Sequence, residues 1–247
     1  MPLNNLQQQR YARHLSLQEI GHKGQEKLIQ SKVLVVGMGG LGSPAAFYLA
    51  AAGVGTIGLM DGDVVELSNL QRQILHTTGS MGEMKVGSAA ARIKELDPVL
   101  ELIPYPYRLT AGNAPEILGG YDFIIDATDN FESKFLIAKA CHASAKPYSH
   151  AGIRQFFGQT ITVHPAKTAC YCCIFHEEEV PAPKFPAGPI GALPGVIGSI
   201  QAIEAIKFLL SIGTPLTNTL LTFDALSMDT RKVHVQRDPF CSLCGKE

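Results

Sequence analysis

A chain of 247 residues with 46% hydrophobic and 17% charged residues and a formal net charge of −1 carries enough apolar material for a substantial buried core. Its 21 Lys and Arg are scattered without a basic run, so no nucleic-acid partner is expected. Residues 33–60 contain no charge, yet they hold seven glycines and Pro44, which favours buried strand, turn, helix and strand over a membrane span. The opening MPLNNLQQQRYARHL has no apolar signal core, which gives the expectation of a cytoplasmic chain. In that setting six cysteines point to metal or free thiols more than to disulfides.

Leu6, Tyr11, Leu15 and Leu17 recur at roughly helical spacing, and Gly21 to Gly24 interrupt before QEKLIQ. Two short helices are therefore predicted over the first thirty residues, as a lid or dimer contact. Lys32 to Gly37 reads as a central parallel strand, Ser43 to Ala52 as a helix of small residues, and Thr56 to Met60 as a strand ending in Asp61. Next come a helix over Lys85 to Leu96, closed by Asp97-Pro98, and strands near Leu100 to Pro104 and Tyr121 to Asp126. Helix Phe131 to Ala145 and strand Pro147 to Gly152 complete the alternation. The pattern then changes to a strand over Gly158 to His164, a Pro/Gly-rich stretch over 177–195 and an apolar helix over Ile197 to Leu210. That helix reads as core or dimer interface, and Leu220 to Asp224 and Lys232 to Gln236 read as a strand pair. The sum is an α/β chain with a doubly wound, Rossmann-like, mostly parallel sheet and an antiparallel extension. It is read as one domain: a helical segment over 1–30, a nucleotide-binding half over 31–152, and over 153–247 the antiparallel strands, a crossover loop and the cysteine pairs.

In VLVVGMGGLG, a glycine turn between strand and helix lets backbone N–H groups approach phosphate at a helix N-terminus. Gly37, Gly39 and Gly42 fit that use, and Asp61 stands where a carboxylate can accept from ribose hydroxyls. These features leave NAD, FAD, S-adenosyl donors and ATP open. The segment DGDVVELSNLQRQ adds Asn69 and Arg72, and Lys85 opens the next helix; three donors converging there suit a triphosphate better than a dinucleotide. Cys170 with Cys173, and Cys241 with Cys244, form two C-x-x-C pairs able to give four thiolates to tetrahedral zinc. The 67 residues between the pairs exceed a small zinc ribbon, so such a site would tie the C-terminus to the body; four unmetallated thiols are the alternative. Cys141 reads as a core residue, and Cys172 as a filler or a thiol able to swap with a ligand.

RYARH, GMGGLG, D-x-D followed by SNLQRQ, Lys85, DATDN and the two cysteine pairs occur in that order over nearly the whole chain. The series resembles the ubiquitin-activating-enzyme-like superfamily, in particular bacterial adenylyltransferases of the ThiF/MoeB/HesA type that activate sulfur carriers for molybdopterin or thiamine synthesis. The resemblance implies ATP across Gly37, Gly39, Gly40 and Gly42, with Asp61 on the ribose and Asp63 and Gln73 in the nucleotide site. It further implies Asn69, Arg72 and Lys85 on the phosphates, Mg²⁺ on Asp129, and structural zinc on Cys170, Cys173, Cys241 and Cys244. Arg13 would be a finger reaching the site of a neighbouring subunit in a homodimer; otherwise it is a solvated arginine. The implied partner is a small ubiquitin-like sulfur carrier with a C-terminal Gly-Gly, activated as an acyl-adenylate with release of pyrophosphate. Asp126 is an alternative magnesium ligand, and Asp129 or Asn130 can instead cap the helix that follows. Relatives that pass a partner onward through sulfur carry a cysteine in the crossover loop, where Lys184 stands in this chain. The reading therefore carries the chemistry only as far as the adenylate. Its rivals are a nicotinamide-dependent oxidoreductase, favoured by the glycine turn and Asp61, and a silent adaptor for a ubiquitin-like fold.

Overall fold

The computed structural model describes residues 2–177 and 188–245. The chain opens with helices α1 (Asn5–Arg10), α2 (Ala12–Leu15) and α3 (Gly21–Gln30), then strand β1 (Lys32–Val36), helix α4 (Gly42–Ala52) and strand β2 (Thr56–Met60). Helix α5 (Lys85–Leu96), β3 (Glu101–Tyr105), α6 (Ala114–Gly119), β4 (Phe123–Asp126), α7 (Phe131–Ala143) and β5 (Tyr148–Arg154) continue the alternation. The remainder comprises β6 (Phe157–Val163), α8 (Ala192–Leu210), β7 (Thr219–Asp224) and β8 (Asp229–His234).

The strands form one sheet in the order β3-β2-β1-β4-β5-β6-β7-β8. The first five are parallel, and β6 to β8 join antiparallel. Alternation along each buried strand decides which layer it feeds. Val33, Val35, Ile57, Leu59, Phe123 and Ile125 face the layer holding α4, α5 and α8, whereas Leu34, Val36, Met60 and Ile124 face α6 and α7. Pro104, which cannot donate to a ladder, is tolerated because β3 is an edge strand. Helix α8 is long and apolar enough to cross a membrane by length and composition alone, but it packs on α4 and on strands β4 to β6.

Some local expectations fail: α8 starts at Ala192 and takes in Pro194 and Gly195 of the Pro/Gly-rich stretch, and β8 runs Asp229–His234 in place of Lys232 to Gln236. The glycines at 21 and 24 do not break a helix; Gly21, at φ +54°, starts α3, so the first thirty residues hold three helices. Helix α6 is missed because one and a half turns give too short a period to register; Thr110 and Asn113 bond to each other's backbone N–H before it, and Pro115 lies in its first turn.

The C-terminal segment returns from β8 to the body through four thiols. The sulfurs of Cys170, Cys173, Cys241 and Cys244 all lie within 4.8 Å of one another, with Cys170 and Cys241 at 3.5 Å and Cys173 and Cys244 at 3.4 Å. An ion held at about 2.3 Å by each of four tetrahedral thiolates spaces its sulfurs by about 3.8 Å, so the cluster fits zinc. Cys172 is buried outside the set, and Cys141 is a fully buried core residue. Tyr171, between the ligands, packs on Phe135 and His150, which joins the cluster to the layer beneath the sheet's carboxyl edge.

Backbone approach sets which glycines can change. A Cβ at Gly42 would overlap the Gly37 carbonyl, whereas one at Gly87, in the first turn of α5, meets nothing within 4 Å. In chemical denaturation Gly42→Ala is expected to lose about 3 kcal/mol, and Gly87→Ala to gain about 0.5–1 kcal/mol.

Candidate active site

The first β-α-β unit places its turn where the sheet order reverses, between the carboxyl ends of β1 and β4. Gly37 has φ +100°, and a Cβ there would sit 2.7 Å from the Ala127 carbonyl oxygen, so only glycine lets the turn lie against the end of β4. Among the described residues no side chain caps α4; Ser43 N–H donates to the Gly39 carbonyl at 3.0 Å and Pro44 has no N–H, so the Gly42 N–H and those of the turn just before it are left to a ligand or water.

Asp61 leaves β2 beside this turn. Its Oδ2 accepts from the Met38 N–H at 2.8 Å and its Oδ1 from the Asp63 N–H at 2.8 Å, so the carboxylate shapes the turn as well as facing it. The Met38 carbonyl accepts from His76 Nε2 at 2.9 Å, while His76 Nδ1 meets Ser88 Oγ at 3.0 Å. Burial lowers the His76 pKa and favours the neutral ring, whose one N–H then serves that carbonyl. His76 is thus a support of the turn.

The connection from β2 to α5 folds over the turn. Asn69, in a short 3₁₀ turn, is buried and accepts from the Glu66 N–H through Oδ1 at 3.1 Å; its Nδ2 has no partner among the described residues. Half-buried Arg72 donates to the Ser68 carbonyl at 3.2 Å and faces no carboxylate among the described residues. A Cβ at Gly40 would lie 3.4 Å from Arg72 Cγ and 3.1 Å from Pro194, which places this connection and the start of α8 over the glycines. Gln73 is buried beside Gly39, and its Oε1 has no partner among the described residues. Lys85, the first residue of α5, is 7% exposed, and its ammonium stands 3.3 Å from Asp63 Oδ2.

Arg108 gave no signal in the sequence because no spacing links the stretch after β3 to the turn. Its guanidinium lies 2.9 Å from the other oxygen of Asp63, and this hydrogen bond is the main cause of Asp63's lowered pKa. Asp63 thus gathers two cations at the mouth of the site, so its carboxylate is already engaged by protein groups.

Beyond β4 the acids divide. Asp126 is 1% exposed; its Oδ1 accepts from the Thr128 N–H and Oγ1–H, and its Oδ2 from His150 Nδ1 at 2.9 Å with the Lys134 ammonium at 3.5 Å. Burial opposes its ionisation, but the Lys134 charge and these hydrogen bonds outweigh that and hold its pKa down at about 2. Burial, together with the Lys134 charge, pushes His150 down to about 4, so the ring is neutral and the buried pair is Asp126 with Lys134. Asp126 has neither exposure nor a spare direction for a magnesium ion, which removes it as the alternative ligand. Asp129 is exposed; among the described residues its one hydrogen bond is from Asn130 Nδ2 at 3.4 Å, and its charge acts on Arg108 and Lys134, while Asn130 caps α7 by accepting from the Ser133 N–H at 2.8 Å. An exposed carboxylate beside the glycine turn is the hard-oxygen donor that Mg²⁺ favours, so Asp129 fits that ion.

The fold thus brings together the glycines, Asp61, Asp63, Asn69, Arg72, Gln73, Lys85 and Asp129. It does not bring Arg13. This exposed residue lies on α2, whose neighbour Tyr11 packs on Gly53 at the carboxyl end of α4, about 16 Å along an 11-residue helix from the turn. Lys184 and most of the crossover stretch lie outside the described residues.

The ThiF family matches residues 11–243. The chain is 44% identical to a sulfur carrier protein adenylyltransferase of Thermus thermophilus over 96% of this chain and 91% of that one. It is 41% identical to a SAMP-activating enzyme E1 of Haloferax volcanii over all of this chain and 92% of that one. It also shares 43% identity with an adenylyltransferase and sulfurtransferase, MOCS3-1, of Zea mays, of which it spans 52%. Among solved structures, E. coli MccB in complex with MccA-N7isoASN superposes with a TM-score of 0.85 at 24% identity, covering 98% of this chain and 76% of that one, a likeness of fold alone. Relatives named for adenylyl transfer at this identity exclude the nicotinamide reading that the glycine turn had left open. The chain belongs to the ThiF family and is an enzyme of the nucleotidyltransferase class.

Proposed function

We propose that the chain uses ATP to adenylate the C-terminal glycine carboxylate of a ubiquitin-like sulfur carrier. The coarser part of this reading, adenylyl transfer to such carriers, follows from the relatives' activity over nearly their full lengths. The observation that carries the rest is the convergence of Arg72, Lys85 and Asp129 on a glycine turn with an uncapped helix behind it.

In this reading the triphosphate lies along Gly37 to Gly42 with its ribose toward Asp61. Lys85, held by Asp63, and Arg72, which faces no carboxylate among the described residues, meet the phosphate oxygens. A carboxylate oxygen of the carrier attacks the α-phosphorus, the bond from that phosphorus to the bridging oxygen breaks, and pyrophosphate leaves with the electron pair. No base is needed, since a terminal carboxylate is already ionised at neutral pH. Asp129 would hold Mg²⁺, which when bound would supply charge neutralisation to the triphosphate. The arginine and lysine charges, fixed before substrate arrives, stabilise the charge that develops on the phosphorus oxygens.

Two further assignments belong to this reading. Arg13, at the far end of α4 from its own glycine turn, serves the site of a second copy. The exposed Tyr48 on α4 and Val196 and Ile203 on the adjoining α8 offer an apolar face for such a pairing. The four thiols hold zinc, which leaves no open coordination position and ties residues 241–244 to 170–173.

Calorimetry is expected to show binding of MgATP and none of NAD. Carrier-dependent exchange of pyrophosphate into ATP should fall by about 10²–10³-fold in Arg72→Ala and Asp129→Ala with the fold intact; unchanged rates in both would mean the site is misplaced. Arg13→Ala and Asp129→Ala chains, each inactive, should on mixing regain about a quarter of wild-type exchange, because half the dimers pair them and each such dimer holds one complete site. Elemental analysis should find about one zinc per chain, and chelation should lower the melting temperature.

A further inference from the structure

Lys134 is a cation that the reaction never touches, sealed beneath the loop that carries Asp129. It lies in the first turns of α7 and is 7% exposed. Its Nζ donates to the Thr128 carbonyl at 2.7 Å and to the Ala151 carbonyl at 2.6 Å, and faces Asp126 Oδ2 at 3.5 Å. Asp126 in turn takes both the N–H and the hydroxyl of Thr128, and Gln201 of α8 donates to the Asp126 carbonyl at 2.9 Å.

The turn 126–128 is thereby fixed from α7, β5 and α8 at once, and Asp129 is the next residue along the chain. The same turn forms the wall against which Gly37 rests, since a Cβ at Gly37 would touch the Ala127 carbonyl. Any shift of Thr128 would therefore change the distance between Asp129 and the glycine turn. A buried ammonium is an expensive way to satisfy two carbonyl groups that neutral donors could serve. Its placement is explained if the turn has to be held stiffly from below.

We propose that Lys134 is a positioning residue that fixes Asp129 for a divalent cation by tethering the Thr128 carbonyl to β5. This rests on the assignment of Asp129 as the magnesium ligand. Partners that orient a ligand without touching the ion commonly change metal affinity by about 10–100-fold when removed. A role limited to core stability would leave the cation's affinity unmoved in any variant that folds.

The test is titration of Mg²⁺ into the full-length chain with ATP, followed calorimetrically. Lys134→Met alone strands the Asp126 carboxylate, so it is combined with Asp126→Asn, which removes both buried charges together. The second variant combines Lys134→Gln with the same Asp126→Asn; its shorter amide can hold only one of the two carbonyls. Both folded variants are expected to bind ATP without metal as the wild type does, and to need about tenfold more Mg²⁺ for half-saturation. Pyrophosphate exchange at saturating Mg²⁺ should return to within about threefold of wild type, an effect on cation affinity more than on the maximal rate. Wild-type Mg²⁺ half-saturation in either folded variant overturns the proposal. A wild-type chain whose ATP binding ignores Mg²⁺, or whose Mg²⁺ response survives Asp129→Ala, overturns the site reading and this inference with it. A response lost in Asp129→Ala but unmoved by the Lys134 variants overturns the inference alone.

Discussion

The close approach of backbone at Gly37 to the end of β4 is the constraint on which the rest of the site depends. There a strand, a turn and a helix N-terminus meet the carboxyl end of a neighbouring strand with no side chain between them. The approach brings uncapped N–H groups and the Asp126 to Asp129 segment to the same crevice, and it does so through steric exclusion, which is stiff. Asp61 and His76 hold the two polar groups of Met38 at the next position, so the turn is clamped by hydrogen bonds on both its donor and its acceptor side.

Charge is arranged around that frame in two tiers. At the mouth, Asp63 gathers Lys85 and Arg108 in a partly solvated setting, where ion pairs contribute little to stability but fix where cations point. Below, Asp126 and Lys134 form a buried pair that is neutral as a unit, with a neutral His150 completing the carboxylate's partners. Breaking such a pair by removing one member is costly, because the other stays buried and unpaired. The lower tier is therefore rigid and the upper one adjustable, a division suited to a site that must seat a nucleotide on a fixed floor.

The antiparallel extension and the thiol cluster sit to one side of this crevice yet connect with it. Tyr171, between two of the thiols, packs on His150, and His150 bonds to Asp126. The C-terminus is thus tied, through one aromatic contact and one hydrogen bond, to the turn that carries Asp129.

Much of this was legible in the residues themselves. A continuous β-branched run, a glycine turn, and an acid at the end of the next strand dictate the first β-α-β unit, since those patterns follow from backbone geometry and burial. Helix α5 and strand β2 have the predicted bounds for the same reason. The C-x-x-C pairs likewise announce a four-thiol cluster from their spacing. Other features needed the tertiary structure. Which of two acids five and eight residues before Lys134 stays free was decided by burial, because the local sequence DATDN offers both. Arg108 reaches Asp63 across 45 residues, and Lys134 reaches Ala151 across 17, contacts that no local pattern encodes. Arg13's distance from its own glycine turn depends on where α2 packs against α4. Local pattern determines the elements and the turn; the side chains that meet across the sheet are chosen only when the layers close, because those distances do not exist until the core is packed.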